Sequence, residues 1–400
     1  METSSSMGLG AVLGLALVNA ASACGGSGSG AEAGAGSGAG SGAGSGAGAD
    51  IPTLDWNPVT GGTMIGVKIY DEPDDYGLTF ARWTEMGVNT VFASEQVASA
   101  KAYRDLAKQH GIATFLILPI YYEYGAAKSG PGACAVGTDG ECLKLDWVEF
   151  MSPSGQAHRE ARLAWIRGLV ENLQPEGLSI DFIRFFGFWE QIYPDTDPAN
   201  IPNSCFSATS VAAFEQYAGV QVPEEVAKPA DVSAWILTEH ADAFTEWKCD
   251  TITNMIEAIA DMARSLDPDL LINVHLVPWR RGDFGNGIKR IMGQDVEAIG
   301  KIADFISPMT YSFMVKQNAD WVRSVMEDMG AQADIPIVPS VQVSTTYLPD
   351  EMTIEQFEHA TQAALRKPSG GVVFYNWPKL DEDQGRYDAA KKIVEKIGSD

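Results

Sequence analysis

Eight short apolar runs, at 64–70, 90–93, 114–120, 178–183, 271–276, 305–311, 337–343 and 372–375, alternate with stretches long enough to be helices. No other feature restricts the fold as much. A strand covered on both faces reads as a continuous apolar run, and parallel neighbours need a crossover between them, most often a helix. Helical spacing of apolar residues is clearest over 96–110, 158–173, 234–265, 320–329, 354–365 and 384–397. Eight strands, most of them followed by a helix, predict an α/β protein of the (β/α)8 TIM-barrel type. An open, doubly wound sheet is the competing arrangement, but the Gly-x-Gly-x-x-Gly turn it would use for a nucleotide is absent after the first run.

Two connections are long: 121–156 after the third strand and 185–233 after the fourth. Long loops inside a compact fold are usually functional, and both follow strand C-termini, the rim where barrel enzymes carry their sites.

Export is expected from the N-terminus. Residues 8–18 form an apolar run too short to span a bilayer, followed by the small residues Ala20 to Ala23 and then Cys24. A small-residue tripeptide before Cys resembles the lipobox of bacterial lipoproteins, which implies a signal peptide over 1–23 and lipidation of Cys24. Cleavage of an ordinary secretory signal near Ala23 is the alternative. Residues 24–49 are almost purely Gly, Ser and Ala, a tether that buries too little surface to fold. Residues 50–400 are expected to form the barrel. The chain would then be lipid-anchored at the bacterial membrane or cell surface, or otherwise secreted, and would meet a membrane only through its anchor.

An oxidising location makes disulfides reasonable. Setting Cys24 aside leaves Cys134, Cys142, Cys205 and Cys249, and four cysteines allow three pairings. A local bridge between Cys134 and Cys142 is the first expectation, which pairs Cys205 with Cys249. No Cys-x-x-Cys occurs and the five histidines are scattered, so no metal site is expected. The net charge of −25 opposes binding to nucleic acid or polyphosphate.

Candidate chemistry concentrates in the fourth run, Gly177-Leu178-Ser179-Ile180-Asp181-Phe182-Ile183-Arg184-Phe185-Phe186, continued by Gly187-Phe188-Trp189-Glu190. A core strand gains no stability from ending in charges, which are costly to bury unless paired or used. Period two puts Ser179, Asp181 and Ile183 on one face, expected to be the barrel interior. Glu190 follows nine positions after Asp181, in an aromatic loop. Two carboxylates in one cleft, one in a polar and one in an aromatic setting, can have their pKa values driven apart, as cleavage of a glycosidic bond requires. The other strand ends add His275, Tyr311, Gln342, Tyr375 and Trp377. With Arg184 and Trp189, these are the expected substrate-binding set, on a cleft suited to a polar, ring-containing ligand.

Several enzyme classes are disfavoured. Strand seven ends in Gln342 and Ser344 with no nearby Glu, unlike retaining glycosidases that take an acid from strand four and a nucleophile from strand seven. There is no His-x-His on strand one for a metal-dependent amidohydrolase, and no Gly-x-Ser-x-Gly elbow for a serine hydrolase. No nucleotide or redox cofactor is implied.

At the fourth run, at Gly293-Gln294-Asp295, at Asp304-Phe305-Ile306-Ser307-Pro308-Met309-Thr310-Tyr311 with Phe313-Met314, and at the lead-in Ser152-Pro153-Ser154, the chain resembles a bacterial family of glycoside-hydrolase-like barrel proteins. More distantly, the strand-four Asp and the Met-x-Tyr of strand six are similar to chitinase-type barrels. Those place a Glu two residues after the Asp, where this chain has Ile183. With the N-terminus and the strand-four residues, the resemblance leads to the expectation of an exported glycoside hydrolase acting on a polysaccharide or oligosaccharide, with Asp181 and Glu190 as acid/base carboxylates and Arg184 orienting them. A carbohydrate-binding surface lipoprotein on the same scaffold, without catalysis, is the alternative.

Overall fold

The computed structural model describes residues 57–397. The signal peptide, Cys24 and the 24–49 tether expected from sequence lie outside the described residues. Eight parallel strands follow the predicted order: β1 Met64–Ile69, β2 Thr90–Ala93, β3 Ala113–Pro119, β4 Gly177–Asp181, β5 Leu271–Leu276, β6 Phe305–Pro308, β7 Ser340–Gln342 and β8 Gly371–Tyr375. Each pairs with its sequence neighbour from β1 to β6, β1 also pairs with β8, and β8 pairs with β7. Single parallel bridges, Ile306 to Ile337 and Met309 to Ser340, join β6 to the β7 segment, so the sheet is a nearly closed TIM barrel.

The strand interior is a separate apolar cluster of Met64, Phe92, Ala113, Phe115, Ile117, Phe305, Val338 and Val373. It lies below a polar layer made by Lys68, Ser179, Asn273, His275, Ser307 and Ser340. Gly177 is required here, since a Cβ would lie 2.2 Å from the Phe115 ring. The larger core lies between the outward strand faces and the helices, and includes Phe80, Trp83, Ile256, Val325, Phe357 and Ile393.

The helices differ from expectation in local ways. The stretch over 96–110 breaks at Ala100 into Glu95–Ser99 and Lys101–His110, and the one over 234–265 breaks at His240 into Pro229–Glu239 and Ala241–Leu266. Apolar periodicity runs through both breaks because the two halves of each share a buried face. A helix at Tyr76–Met86, capped by Asp75 and ended by a left-handed Gly87, was not predicted. The connection after β4 is not one loop, since it contains the helices Ala208–Ala218 and Pro229–Glu239.

Cys134 and Cys142 form a disulfide inside the connection after β3. A short hairpin, Lys144–Leu145 with Val148–Glu149, follows it and is bound to the same connection by bridges from Tyr122 to Phe150 and Cys134 to Met151. The expected partnership of Cys205 with Cys249 is corrected: both are free, buried thiols. They face different elements. Cys205 Sγ accepts from the Val136 N–H at 3.2 Å, beside the disulfide loop, whereas Cys249 Sγ lies against the Lys289 carbonyl at 3.9 Å.

Candidate active site

Strand β4 ends at Asp181 because the next residue turns the chain. Phe182 has φ of +49°, a left-handed conformation uncommon for an aromatic residue, and its N–H donates to Asp181 Oδ1 at 2.7 Å. Strand alternation therefore stops two residues earlier than the sequence suggests. Asp181 and Ser179 point into the barrel as expected, but Ile183 is packed in the core, and Phe182 lines the cavity instead of the outer face.

That cavity lies at the C-terminal rim. Lys68, Tyr70, Asp181, Phe182, Glu190 and Tyr375 line it, together with Met309, Tyr311, Met314, Trp147 and Tyr347. It thus joins Asp181 to Glu190, nine residues away on the short helical turn Trp189–Gln191. Lys68 Nζ stands 3.9 Å from Asp181 Oδ2 and 3.5 Å from His275 Nδ1, and His275 Nε2 meets Ser179 Oγ at 2.8 Å. Ser179 Oγ also donates to Asn273 Oδ1, and Asn273 Nδ2 donates to Ser307 Oγ at 2.9 Å. A chain of polar contacts thus crosses the barrel beneath Asp181.

The two carboxylates have opposite surroundings. Burial by itself would raise the Asp181 carboxyl, but His275, Lys68, Arg184 and the Phe182 N–H outweigh it and hold it below its ordinary value. Burial lowers His275 to about 3, so near neutral pH the cations acting on Asp181 are Lys68, itself lowered to about 8 by burial, and Arg184. Glu190 is pushed up to about 7 by burial, against the pull of the Arg184 charge. One acid is thereby kept ionised and the other protonated across mildly acidic pH.

Arg184 does not line the cavity. It is buried behind it, its guanidinium 5.1 Å from the Phe150 ring centre and 5.0 Å from that of Phe182. Its Nε and Nη2, together with Glu190 Oε2, Trp189 Nε1 and Tyr122 Oη, have no hydrogen-bond partner among the described residues. Buried polar atoms are nearly always paired in folded proteins. Among the unpaired ones here, Trp189 adjoins Glu190 in the chain, and the Arg184 charge acts on the Glu190 carboxyl.

The remaining expected residues divide. Tyr311 and Tyr375 stack at 4.8 Å and both line the cavity, and Tyr311 Oη meets Ser340 Oγ at 3.3 Å. Trp189 packs 5.7 Å from the Tyr311 ring but faces a neighbouring groove. His275 belongs to the polar layer below. Gln342 is a clamp between loops, its Oε1 accepting from Met314 N at 2.7 Å and its Nε2 donating to Ser344 O. Trp377 is corrected outright: it opens the helix Trp377–Glu382 and packs in the helical layer, its ring 5.7 Å from Trp83 and 6.3 Å from Tyr387.

Sequence reasoning missed Trp147 and Tyr347. Trp147 Nε1 donates to Tyr347 Oη at 2.6 Å, and Tyr347 packs edge-on against Phe188 at 5.5 Å. Trp147 sits at the turn of the hairpin after β3, a connection already marked as long. Nothing in the sequence around Tyr347 singles it out.

No protein-family model matches the chain, and no curated protein does. Among solved structures, the β-galactosidase from the psychrophilic Marinomonas ef1 superposes with a TM-score of 0.61 at 10% identity, over 84% of this chain and 59% of that one. The β-galactosidase of the Antarctic haloarchaeon Halorubrum lacusprofundi gives 0.61 at 12%, over 84% and 58%. This chain spans about three fifths of the length of those two enzymes. The PgaB (BpsB) glycoside hydrolase domain of Bordetella bronchiseptica gives 0.61 at 14%, over 83% of this chain and 98% of that domain. At these identities the likeness is one of fold alone, that of a TIM barrel.

Proposed function

We propose that this protein is a glycoside hydrolase cleaving a polysaccharide or oligosaccharide, with Glu190 as general acid and Asp181 as the ionised partner. One observation carries the reading: two carboxyls of opposite pKa direction line the same rim cavity among aromatic rings. Protonated Glu190 would deliver its proton to the leaving oxygen. Asp181, anionic and backed by Lys68, would face the positive charge that develops on the sugar ring or activate water against it. The stacked Tyr311 and Tyr375 suit the apolar face of a pyranose. Lys68, from the cavity wall, and Arg184, from behind it, would set the charge balance of the two carboxyls. The glycoside-hydrolase fold of the structural neighbours supports the same reading. Export, with lipid attachment at Cys24, is part of the proposal and rests on the N-terminal sequence alone.

Reducing-end release from a panel of polysaccharides tests it, with wild type beside Asp181→Asn and Glu190→Gln. Release that falls at least a hundredfold in both variants, with unchanged circular dichroism, is expected. Release that survives in Asp181→Asn removes the assignment. Retention of a polysaccharide without any release would point to a binding protein instead.

A further inference from the structure

Beside the inner cavity lies a second, larger concavity of about 400 Å³, built from the connections after β4, β5 and β6. Trp189, Trp279, Phe284 and Trp321 contribute its aromatic walls, and Arg280, Asp283 and Gln317 its polar ones. The inner cavity holds only about 40 Å³ of free space. Consecutive residues form the partition: Trp189 and Val315 line the groove, while Glu190 and Met314 line the inner cavity.

We propose that this groove is a second carbohydrate subsite, holding a pyranose unit of the same chain whose scissile bond lies at Glu190. The inference rests on the glycosidase reading for that bond, but the recognition chemistry is the groove's own. Aromatic surfaces remove water from the C–H face of a sugar, and a planar charged pair bonds neighbouring hydroxyls as donor and acceptor together. Arg280 and Asp283 form such a pair. The guanidinium donates through Nη2 to Oδ1 at 2.9 Å and through Nε to Oδ2 at 3.0 Å, and Nη1 is held by Ser324 Oγ at 3.1 Å. Prior anchoring of this kind lowers the entropy lost on binding. The Gln317 amide, half-buried in the wall, has no side-chain hydrogen bond among the described residues and is free for a ligand hydroxyl. Its size is that of an ordinary small-molecule site, whereas the inner cavity accommodates no more than a water or so without opening. The Arg280 and Asp283 charges cancel, and a chain of net charge −25 repels polyanions. The ligand is therefore a neutral or cationic sugar polymer, not a uronate.

The test uses two substitutions remote from Asp181 and Glu190. Phe284→Gly removes a ring at a position whose φ of +51° glycine accepts readily, and Gln317→Ala removes only the amide. Each is made in wild type and in Glu190→Gln. Affinity gels containing β-1,4-galactan, β-1,3-glucan, xylan or glycol chitosan report binding, and reducing-end release reports cleavage. The expectation is that at least one polymer retards the Glu190→Gln protein and that both groove substitutions weaken this at least fivefold. They should also lower kcat/KM for the polymer while leaving hydrolysis of the matching aryl monosaccharide glycoside unchanged. Unaltered retardation in both variants, or no retardation by any polymer, overturns the subsite. If the groove variants bind and cleave as wild type while Asp181→Asn is dead, the groove proposal falls and the glycosidase reading stands. If retardation weakens but no release occurs in wild type, the subsite stands and the glycosidase reading falls.

Discussion

Trp147 and Tyr347, 200 residues apart, are tied by a hydrogen bond of 2.6 Å from indole to phenol and both line the cavity that holds Asp181 and Glu190. The bond joins the hairpin after β3 to the connection after β7. Trp147 is further packed against Tyr122 at 5.7 Å and Phe188 at 5.9 Å, so the hairpin is held in place by rings as well.

The cavity has only about 40 Å³ of free space, so on the proposed function a sugar ring is expected to enter by parting this pair. Tyr347→Phe removes the hydrogen bond and keeps the ring, a change worth about 1 kcal/mol toward the open form. Stopped-flow tryptophan fluorescence should show oligosaccharide association severalfold faster than in wild type. An identical rate would mean that the ligand enters elsewhere.

The opposed carboxyls set the pH profile. The proposed mechanism needs Glu190 protonated and Asp181 ionised, so kcat/KM should fall as pH rises through about 7, where Glu190 loses its proton. On the acid side it should fall only below the ordinary aspartate range, because Asp181 is held down. Arg184 lowers both carboxyls, so Arg184→Gln should move both limbs of the bell to higher pH. A profile whose limbs stay put in this variant would separate Arg184 from the pair.

Glu190 also bears on stability. Its carboxyl is raised from 4.5 to about 7 in the folded protein, so the folded state binds the proton more tightly than the unfolded chain. This stabilisation is complete below pH 4.5 and is lost as pH rises to 7, by about 3 kcal/mol at most. Glu190→Gln has no proton to lose. Its Tm relative to wild type should therefore increase between pH 5 and pH 8, and a constant difference would contradict the burial of this acid.

The thiols give a covalent check. Peptide mapping after alkylation should recover Cys134 joined to Cys142, while Cys205 and Cys249 become alkylated only under denaturant. Replacing Cys134 and Cys142 together by Ser should cost about 2–3 kcal/mol and loosen the hairpin that carries Trp147. A Cys205–Cys249 peptide would contradict the structure.

The chain's order of elements, its barrel and the inward aim of Asp181 were legible in sequence, because run length and period two report how one segment covers its own faces. Every observed strand end lies within three residues of the expected one on this basis alone, the widest gaps being at the end of β6 and the start of β7. Glu190 could be named from its aromatic neighbours, but its meeting with Asp181 depends on the turn at Phe182. Trp377 shows the reverse: it follows directly on a strand end, yet the helix it opens carries it into the outer layer against Trp83. The Cys134–Cys142 bridge was expected from its short spacing, but the separation of Cys205 from Cys249, the Trp147–Tyr347 bond and the groove beside Trp189 were decided only by tertiary structure. Each joins segments tens to hundreds of residues apart, and periodicity along one segment carries no information about which distant surface will pack against it.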